Sequence, residues 1–185
     1  MKNEPVTIVG ERLRLRPLDE AALALKVRWY NDPEIRKTLI LDERLELEGT
    51  RRWFERIAGD AGRCDLAIEM SDGTPVGLIS LLHIDRRHKT AEIIVVIGEK
   101  EFWGKGVMAE AESLLMGWAF ESLGLEKIWA QARPENLASL ITMKKLGFQI
   151  EGTLRREVIQ DGRRIDILRL GLLKDDFKPA ARRTL

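Results

Sequence analysis

Residues 92–118 read EIIVVIGEKEFWGKGVMAEAESLLMGW, and this stretch decides the fold of the 185-residue chain. Its first part, Glu92–Ile97, is apolar on both faces, which predicts a central strand of a sheet, covered on both sides. From Val107 to Trp118 the apolar residues recur at helical spacings, which predicts a helix. A short loop with Gly104 and Gly106 joins the two parts. The stretch is therefore a strand, a glycine loop and a helix.

The glycine loop is a candidate anion site. Glycines let several backbone N–H groups point at one spot, and the start of the following helix adds a partial positive charge that favours phosphate. Gly104, Gly106 and Ala109 also fit the dinucleotide fingerprint, which would indicate an NAD(P)-binding or flavin oxidoreductase. That fingerprint belongs in a βαβ unit whose second strand ends in an acidic residue, whereas the next predicted strand ends in Ala132-Arg133. A glycine pair without a ligand is the structural alternative.

The chain before the glycine loop predicts two helices and a set of strands. Arg12–Arg16 alternates polar and apolar residues, so it predicts a strand with one buried face that Pro17 ends. Asp19 is expected to cap a helix that runs to Trp29, and Asn31-Asp32-Pro33 breaks it. The other predicted elements are a helix over Leu45–Ala58 and an antiparallel meander of strands over Leu66–Met70, Val76–Leu82 and Ala91–Ile97.

The chain after the long helix predicts a strand, a helix and a hairpin. They are the strand Lys127–Ala132, the helix Leu137–Leu146 opened by Pro134-Glu135-Asn136 and closed by Gly147, and the hairpin Thr153–Ile159 with Arg164–Leu173 around Asp161-Gly162. We expect a single domain over residues 1–185, with a core over residues 8–177 and a loose basic tail over residues 178–185.

Composition excludes several classes of protein. The chain has 31 Lys and Arg against 30 Asp and Glu, a net charge of +1, which argues against binding extended nucleic acid or an anionic membrane. The single cysteine, Cys64, excludes an intramolecular disulfide framework and a cysteine-rich zinc site, and we expect no metal. Met1–Val6 lacks the apolar stretch of a signal peptide, and Leu114–Phe120 is too short to span a membrane. A cytoplasmic enzyme or binding domain is the expectation.

The order of these motifs resembles the GNAT superfamily of N-acetyltransferases, in the branch of ribosomal-protein alanine and spermidine N-acetyltransferases. The resemblance covers residues 8–177. It is carried by Arg12–Leu18, Trp29 with Asn31-Asp32-Pro33, Phe102–Gly106, Pro134-Glu135-Asn136 with Ser139, Lys145–Phe148, and Glu151-Gly152 with the Asp161-Gly162 turn and Asp166. It implies an α/β (α+β) domain with a mixed, mostly antiparallel twisted sheet of about seven strands, flanked by helices and splayed at a central cofactor cleft.

The resemblance also implies acetyl-coenzyme A as co-substrate. The cofactor is expected where the central strand splays from Lys127–Ala132, with its pantetheine arm paired to backbone groups of Val95, Val96 and Ile97. Its pyrophosphate is expected on the backbone N–H groups of Trp103, Gly104, Lys105, Gly106, Val107 and Met108. The Lys105 side chain either adds charge there or is solvated. Glu101 stands where the family usually has Arg or Gln, so that side chain is not expected to hold the pyrophosphate.

Two catalytic residues are predicted. Glu92 opens the central strand on the face of Ile94 and Val96, and an apolar setting would raise its pKa toward that of a useful base; a solvent-facing carboxylate is the alternative. Asn136 binds the cofactor or the substrate, caps its helix, or does both.

The family's usual general acid, a tyrosine, is replaced here by Met143, expected to pack against the acyl end of the cofactor, and Tyr30 is the only tyrosine. The leaving thiolate must then be protonated in another way. His83 is an alternative second base, His88 lies in a charged turn, and Cys64 lacks a neighbouring base in the sequence.

The predicted reaction is acetyl transfer from acetyl-coenzyme A to a primary amine by direct attack in a ternary complex. The acceptor is a protein N-terminus such as that of a ribosomal protein, or a small amine such as a polyamine or aminoglycoside. Its pocket is expected from Trp29–Glu34, the helix over Leu45–Ala58 and the final hairpin. A run of acidic residues either attracts a cationic acceptor or is a solvated surface: Asp32, Glu34, Asp42, Glu43, Glu46 and Glu48. A non-catalytic acyl-coenzyme A sensor is the alternative from another class, and a homodimer is a further expectation.

Overall fold

A computed structural model describes residues 6–41 and 43–180, and over these residues eight strands form one sheet in the order β1-β2-β3-β4-β5-β6-β8-β7. The strands are β1 (Ile8–Val9), β2 (Leu13–Pro17), β3 (Cys64–Met70), β4 (Pro75–Asp85), β5 (Thr90–Ile97), β6 (Lys127–Ala132), β7 (Gln149–Gln160) and β8 (Arg163–Leu173). The helices are α1 (Glu20–Asn31), α2 (Pro33–Arg36), α3 (Leu47–Ile57), α4 (Val107–Ser122) and α5 (Leu137–Leu146). The mixed, mostly antiparallel sheet is confirmed, with the two-residue β1 in addition to the expected strands.

Strand β2 shows how the alternating pattern sets the register of the sheet. Leu13 and Leu15 are buried in the core, while Arg14 and Arg16 point to the other face. Both arginines bind the buried carboxylate of Glu69 on β3, with Arg14 Nε 2.8 Å from Oε1 and Arg16 Nε 2.6 Å from Oε2. A slip of one residue would bury the arginines and expose the leucines, so this register is strongly specified.

Helix α1 begins at the capping residue that the sequence predicts. Asp19 Oδ1 accepts a hydrogen bond from Ala22 N at 3.0 Å and so begins α1. The predicted break at Asn31-Asp32-Pro33 is present, but it also starts the short helix α2, because Asp32 Oδ1 accepts from the N–H groups of Glu34 and Ile35. The sequence prediction missed α2 because one helical turn carries too little apolar periodicity.

Strands β5 and β6 form the parallel pair among the strands that the structure describes, and they stay together only briefly. Thr90–Glu92 pairs with Lys127–Trp129, whereas β5 pairs with β4 along its whole length. The expectation that both faces of β5 are covered is wrong at Ile94, which is 38% exposed. Trp29 of α1 and Ile35 of α2 cover Val96 on that face, and α4 packs on the opposite face. The sheet is thus splayed between β5 and β6.

Residues 178–180, which were expected to belong to a loose tail, are docked on the domain. Lys178 N donates to Leu146 O at 3.0 Å, and Ala180 N donates to the hydroxyl of Ser113 on α4 at 2.9 Å. The rest of the predicted tail, residues 181–185, lies outside the described residues, as do residues 1–5. In the part of the chain described, none of the helices has the length and apolar character needed to cross a membrane.

Two glycines of this fold are expected to respond to alanine in opposite ways. At Gly77 on β4, a Cβ atom would lie 2.3 Å from the backbone oxygen of Val96 on β5, so Gly77→Ala should lower the free energy of unfolding by about 2 kcal/mol. At Gly49 in α3 a Cβ atom would meet nothing within 4 Å, so Gly49→Ala should raise it by about 0.5–1 kcal/mol. Urea denaturation measures both, and a Gly77→Ala protein as stable as the parent would contradict the close packing of β4 on β5.

Candidate active site

A cleft of about 1540 Å³ runs alongside the unpaired part of β5, between the start of α4, helix α5 and the chain after α2. Its depth comes from the splay, because β6 leaves β5 after Glu92. Most of the predicted cofactor residues line it: Val95, Val96, Ile97, Trp103, Gly104, Gly106, Val107, Met108 and Asn136. Lys105 does not line the cleft.

The glycine loop has the backbone geometry of an anion site. Gly104 and Gly106 lie in the left-handed region, with φ of 72° and 79°, where residues with a side chain are strained. Gly106 is the N-cap of α4 and supplies no side chain, so no side chain of the described residues caps the first amides of the helix. The backbone N–H groups of Gly104, Gly106, Val107 and Met108 donate to none of the described residues. They form a cluster of donors at the start of α4.

Two of the six predicted amide donors are engaged elsewhere. Trp103 N donates to Lys100 O at 3.0 Å, and Lys105 N donates to Phe102 O at 3.4 Å, because this segment first forms a short 3₁₀ turn. The Trp103 ring folds back, and its Nε1 donates to Ile97 O at 2.9 Å. These two amides hold the loop together and are not free for an anion, which corrects that part of the prediction.

The side chains of Lys105 and Glu101 lie outside the cleft. Lys105 Nζ is 5.7 Å from the centroid of the Phe102 ring, and Glu101 is exposed on the 3₁₀ turn. The prediction that Glu101 does not assist an anion agrees with its position. For Lys105, the solvated alternative fits the structure and the added charge in the cleft does not.

Glu92 lies at the apex of the splay, at the last paired position of β5, opposite Trp129 of β6. It does not line the cleft itself. Glu92 is 8% exposed, and this burial raises the pKa of its carboxyl group above the ordinary value. The charges of His83 and Arg169 act in the opposite direction but do not cancel the effect of burial. The solvent-facing alternative for this carboxylate is therefore wrong.

His83 is the exposed neighbour of that carboxylate. It lies at an irregularity of β4 with φ of 51°, which turns its ring toward β5. His83 Nε2 is 3.5 Å from Glu92 Oε2, and the ring stacks on Trp129 with the centroids 6.1 Å apart. The guanidinium of Arg169 lies 3.5 Å from the centroid of the same Trp129 ring. These four residues form a cluster on the face of the sheet that carries Ile94.

Asn136 performs its capping role and also faces the cleft. Its Oδ1 accepts from Ser139 N at 3.3 Å at the start of α5, and its Nδ2 is 3.5 Å from Thr38 O. The capping role is thus confirmed by the geometry, and the role as a ligand stays a prediction.

Neither Met143, which replaces the family's usual tyrosine, nor Tyr30 lines the cleft. Met143 lies on the buried face of α5, in the core, and not at the cleft where it was expected to pack against an acyl group. Tyr30 lies on α1, and burial raises its pKa. The hydroxyl groups that do line the cleft belong to Thr38, Ser113, Ser139 and Thr142. Cys64 is buried, which raises the pKa of its thiol to about 12 and removes it as a nucleophile.

None of the residues predicted for the acceptor pocket lines the cleft. Trp29–Glu34, α3 and the β7–β8 hairpin contribute no residue, whereas Ile35, Thr38 and Leu39, which follow Glu34, do line it. Three residues of the acidic run are paired: Asp32 and Glu34 bind Lys100, and Glu48 lies 3.5 Å from Arg52. Asp42 lies outside the described residues. The N-terminal acidic residues therefore form surface ion pairs more than a free negative patch.

Two residues at the cleft were missed at the sequence level. Arg12, directly before β2, and Glu110 of α4 meet there, with Arg12 Nε 2.7 Å from Glu110 Oε2. Arg12 was interpreted as part of the polar face of its strand. Nothing local in the sequence links two residues that are so far apart along the chain.

The amino-acid sequence matches a known family and several known proteins. The family model described as an acetyltransferase (GNAT) domain matches residues 12–149. The chain is 31% identical over 176 residues to the N-acetyltransferase p20 of Bacillus licheniformis, covering 92% of this chain and 98% of that protein. It is 31% identical over 106 residues to the spermidine N(1)-acetyltransferase of Escherichia coli K12, covering 57% and 56%.

A solved structure of a similar protein has the same fold. A crystal structure of a spermidine N-acetyltransferase from Vibrio cholerae, in complex with CoA and spermine, superposes with a TM-score of 0.84 at 23% identity, over 90% of this chain and 98% of that one. At that identity the likeness shows the fold alone. The family model and the relative of nearly full length together show that this chain belongs to the GNAT family of acetyltransferases.

Proposed function

We propose that this protein transfers an acetyl group from acetyl-coenzyme A to the primary amine of a second substrate bound at the same time. The observation that carries the proposal is the cleft, which joins the unpaired edge of β5 to the uncapped start of α4. The edge of β5 that β6 leaves unpaired, along Val95–Ile97, suits the amides of a pantetheine arm, although Ile97 O already accepts from Trp103 Nε1. The N–H cluster at Gly104 and Gly106 suits a compact pyrophosphate. Family membership supports the same co-substrate.

Glu92 is the proposed base. It takes a proton from the acceptor's ammonium group, directly or through water, so that the neutral amine can attack the thioester carbonyl. The new bond joins the amine nitrogen to the acetyl carbon, and the carbon–sulfur bond breaks, so coenzyme A leaves as a thiolate. The nitrogen gives up its second proton as the amide forms, and this proton reaches the sulfur through water or through the hydroxyl group of Ser139, which lines the cleft; the hydroxyl group of Thr142 instead donates to Ala138 O at 2.9 Å. Asn136 holds the start of α5 and presents its amide to the bound ligands.

His83 gives the proton on Glu92 a path to solvent. Its side chain is 72% exposed, whereas that of Glu92 is 11% exposed, and the two are 3.5 Å apart. A buried base must lose its proton before the next turnover, and an imidazole can accept a proton at one ring nitrogen and release one from the other. We propose that His83 relays this proton and is not itself the base.

The acceptor class is tested by a panel of amines. The wild-type protein is incubated with acetyl-coenzyme A and spermidine, a peptide with an N-terminal alanine, or an aminoglycoside, and free thiol is followed with a thiol-reactive dye. Mass spectrometry then confirms one added acetyl group on the acceptor. The named spermidine acetyltransferases favour polyamines as the first class to test, while the paired acidic residues favour a less cationic acceptor.

The panel also separates the alternatives. Coenzyme A binding without turnover on any amine would point to the acyl-coenzyme A sensor, an alternative that the replacement of the usual tyrosine by Met143 keeps relevant. Thermal stabilisation by NAD or NADP, but not by coenzyme A, would overturn the proposal in favour of the oxidoreductase alternative.

We further propose that the whole chain works as one domain in the cytoplasm. All eight strands of the described residues belong to one sheet, and the docked segment up to Ala180 packs on α4. The single cysteine, Cys64, is free and buried, as in proteins of a reducing compartment.

A valine in the glycine loop is expected to abolish coenzyme binding. At Gly104 the φ of 72° lies in a region that a β-branched residue rarely adopts, so Gly104→Val should distort the loop and turn its N–H groups away. The increase in thermal stability caused by saturating coenzyme A should then disappear. Differential scanning fluorimetry measures this increase for each protein.

Gly59→Val is the matched control for this prediction. Gly59 has a φ of 79°, has nothing within 4 Å of a built Cβ atom, and follows α3 away from the cleft. It should suffer a similar backbone strain yet keep the stabilisation by coenzyme A. A full stabilisation of the Gly104→Val protein would refute the anion site at the glycine loop.

A further inference from the structure

The glycine loop receives no positively charged side chain from its own segment. Glu101 and Lys105 both lie outside the cleft. Among the described residues, the cleft is lined by the acids Glu11, Glu110 and Glu121 and by the cations Arg12 and Lys145. A pyrophosphate diester carries two negative charges, so a site built only from amides next to these carboxylates would be poorly compensated. A positively charged side chain at the loop must therefore come from another segment of the chain.

Arg12 reaches the loop from its position directly before β2, far away in sequence. Its backbone N donates to Glu110 Oε1 at 2.9 Å, and its Nε donates to Glu110 Oε2 at 2.7 Å. Its Nη1 donates to the carbonyl oxygen of Lys105 at 3.2 Å, inside the glycine loop. The plane of the guanidinium is thus fixed by a carboxylate on one side and by the loop on the other.

One end of this guanidinium is left over. Arg12 Nη2 donates to none of the described residues, and it would lie 3.6 Å from a Cβ atom built on Gly106. The Arg12 side chain is 28% exposed and lines the cleft. The unused donor therefore lies beside the same N–H cluster that opens α4. A partly buried arginine makes stronger hydrogen bonds to phosphate than a fully solvated one.

We propose that Arg12 binds the pyrophosphate of the coenzyme through Nη2, while Nη1 holds the glycine loop in its left-handed conformation. In this arrangement Glu110 orients the guanidinium, and Arg12 supplies the charge that Glu101 does not. The inference rests on the proposed function, because it assumes a coenzyme with a pyrophosphate. It assigns the role to the side chain of a residue outside the glycine loop, directly before β2.

The test compares two thioesters that differ in their phosphates. Acetyl-coenzyme A and S-acetylpantetheine share the thioester and the pantetheine arm, but only the first has a pyrophosphate. Arg12→Met should raise the KM for acetyl-coenzyme A about 10–100-fold, the loss expected for a hydrogen bond between charged groups, and leave kcat nearly unchanged. The kcat/KM for S-acetylpantetheine should not change. Arg12→Lys should fall between the parent and Arg12→Met, because it keeps the charge and loses the planar fork.

A control variant and two contrary outcomes test the role of Arg12 apart from the proposed reaction. Arg52→Met removes an exposed arginine of α3 and should change neither thioester's kinetics. An equal loss for both thioesters would mean that Arg12 only supports the fold, and no loss for either would mean that Nη2 binds nothing; both overturn the proposal. Should Arg12→Met fail to fold, Arg12→Lys carries the same comparison.

Calorimetry tests the inference without any turnover. Coenzyme A and pantetheine are titrated into the wild-type protein and into the two Arg12 variants, and the affinity for coenzyme A alone should fall. If the wild-type protein binds coenzyme A but acetylates no amine, the proposed reaction fails while the role of Arg12 is still decided by these affinities. An unchanged affinity of the Arg12→Met protein for coenzyme A would overturn the role.

Discussion

Glu92→Gln is expected to lower kcat by about 10²–10³-fold while leaving the affinity for coenzyme A unchanged. The amide keeps the shape of the carboxylate at the apex of the splay but cannot accept a proton from the acceptor. Since Glu92 is buried and does not line the cleft, the variant should fold normally and bind the coenzyme as before. Steady-state rates at saturating acceptor, with the affinity measured separately, test both halves of this expectation.

The pH dependence gives the same prediction a second readout. A base works only when ionised, so the rate of the wild-type protein should fall as the pH falls through the pKa of Glu92, which burial raises above its ordinary value. The Glu92→Gln protein should lack this acidic limb. Glu126→Gln, which removes an exposed carboxylate paired with Lys89, should keep both the rate and the limb. Unchanged turnover in the Glu92→Gln protein would remove Glu92 as the base.

Glu112→Leu is expected to stabilise the protein, and more so in alkali than in acid. Glu112 is fully buried on α4 among Ala111, Leu115 and Met116, and neither of its carboxyl oxygens has a hydrogen-bond partner among the described residues. Burial raises its pKa from the ordinary 4.5 to about 8. Leucine fills a similar volume without a polar group, so it removes the cost of burying the carboxyl group.

The sign of the pH effect follows from proton binding. Below pH 4.5 the folded and unfolded forms both carry the proton, so the pKa difference has no effect on stability. Between pH 4.5 and about 8 only the folded form binds it, so the free energy of unfolding falls as the pH rises, by about 1.4 kcal/mol for each pH unit. Above pH 8 the loss is complete. The gain from Glu112→Leu should therefore be larger at pH 8 than at pH 5, by on the order of 3 kcal/mol.

Urea denaturation over a series of pH values measures this difference, and Glu112→Gln is the control. The amide does not titrate but leaves polar atoms buried without partners, so this variant should lose the pH dependence and remain less stable than Glu112→Leu. A Glu112→Leu protein with the same pH dependence as the parent would show that Glu112 is not the titrating group.

The parts of the fold that sequence alone predicted are those with a local cause. Strand β6 and helix α5 match their predicted bounds. For α5 the reason is local, because Asn136 caps its start and Gly147 ends it. The glycine loop is likewise a local pattern, and Gly104 and Gly106 adopt the left-handed conformation that the pattern requires. By contrast, Met143 faces the core because of how α5 packs on the sheet, which its own segment does not encode.

Contacts between distant segments could not be predicted in this way. The pairing of Arg12 with Glu110 joins the chain directly before β2 to α4, and the approach of His83 to Glu92 depends on an irregular strand. Glu112 is a different case, because its helical position, four residues before Met116, already put it on the buried face. A charged residue on an otherwise apolar helix face is the signal that could have found it.

The early parting of β5 and β6 also leaves the interior of the sheet with two strand edges, along Ile93–Ile97 and along Ala130–Ala132. Unpaired edges rich in β-branched residues are templates for intermolecular strand addition, and proteins usually shield them. A pantetheine arm laid along β5 would occupy its free hydrogen-bonding groups as a short third strand does. Coenzyme A should therefore act on this protein as a solubiliser, suppressing aggregation on mild heating beyond what its effect on unfolding accounts for.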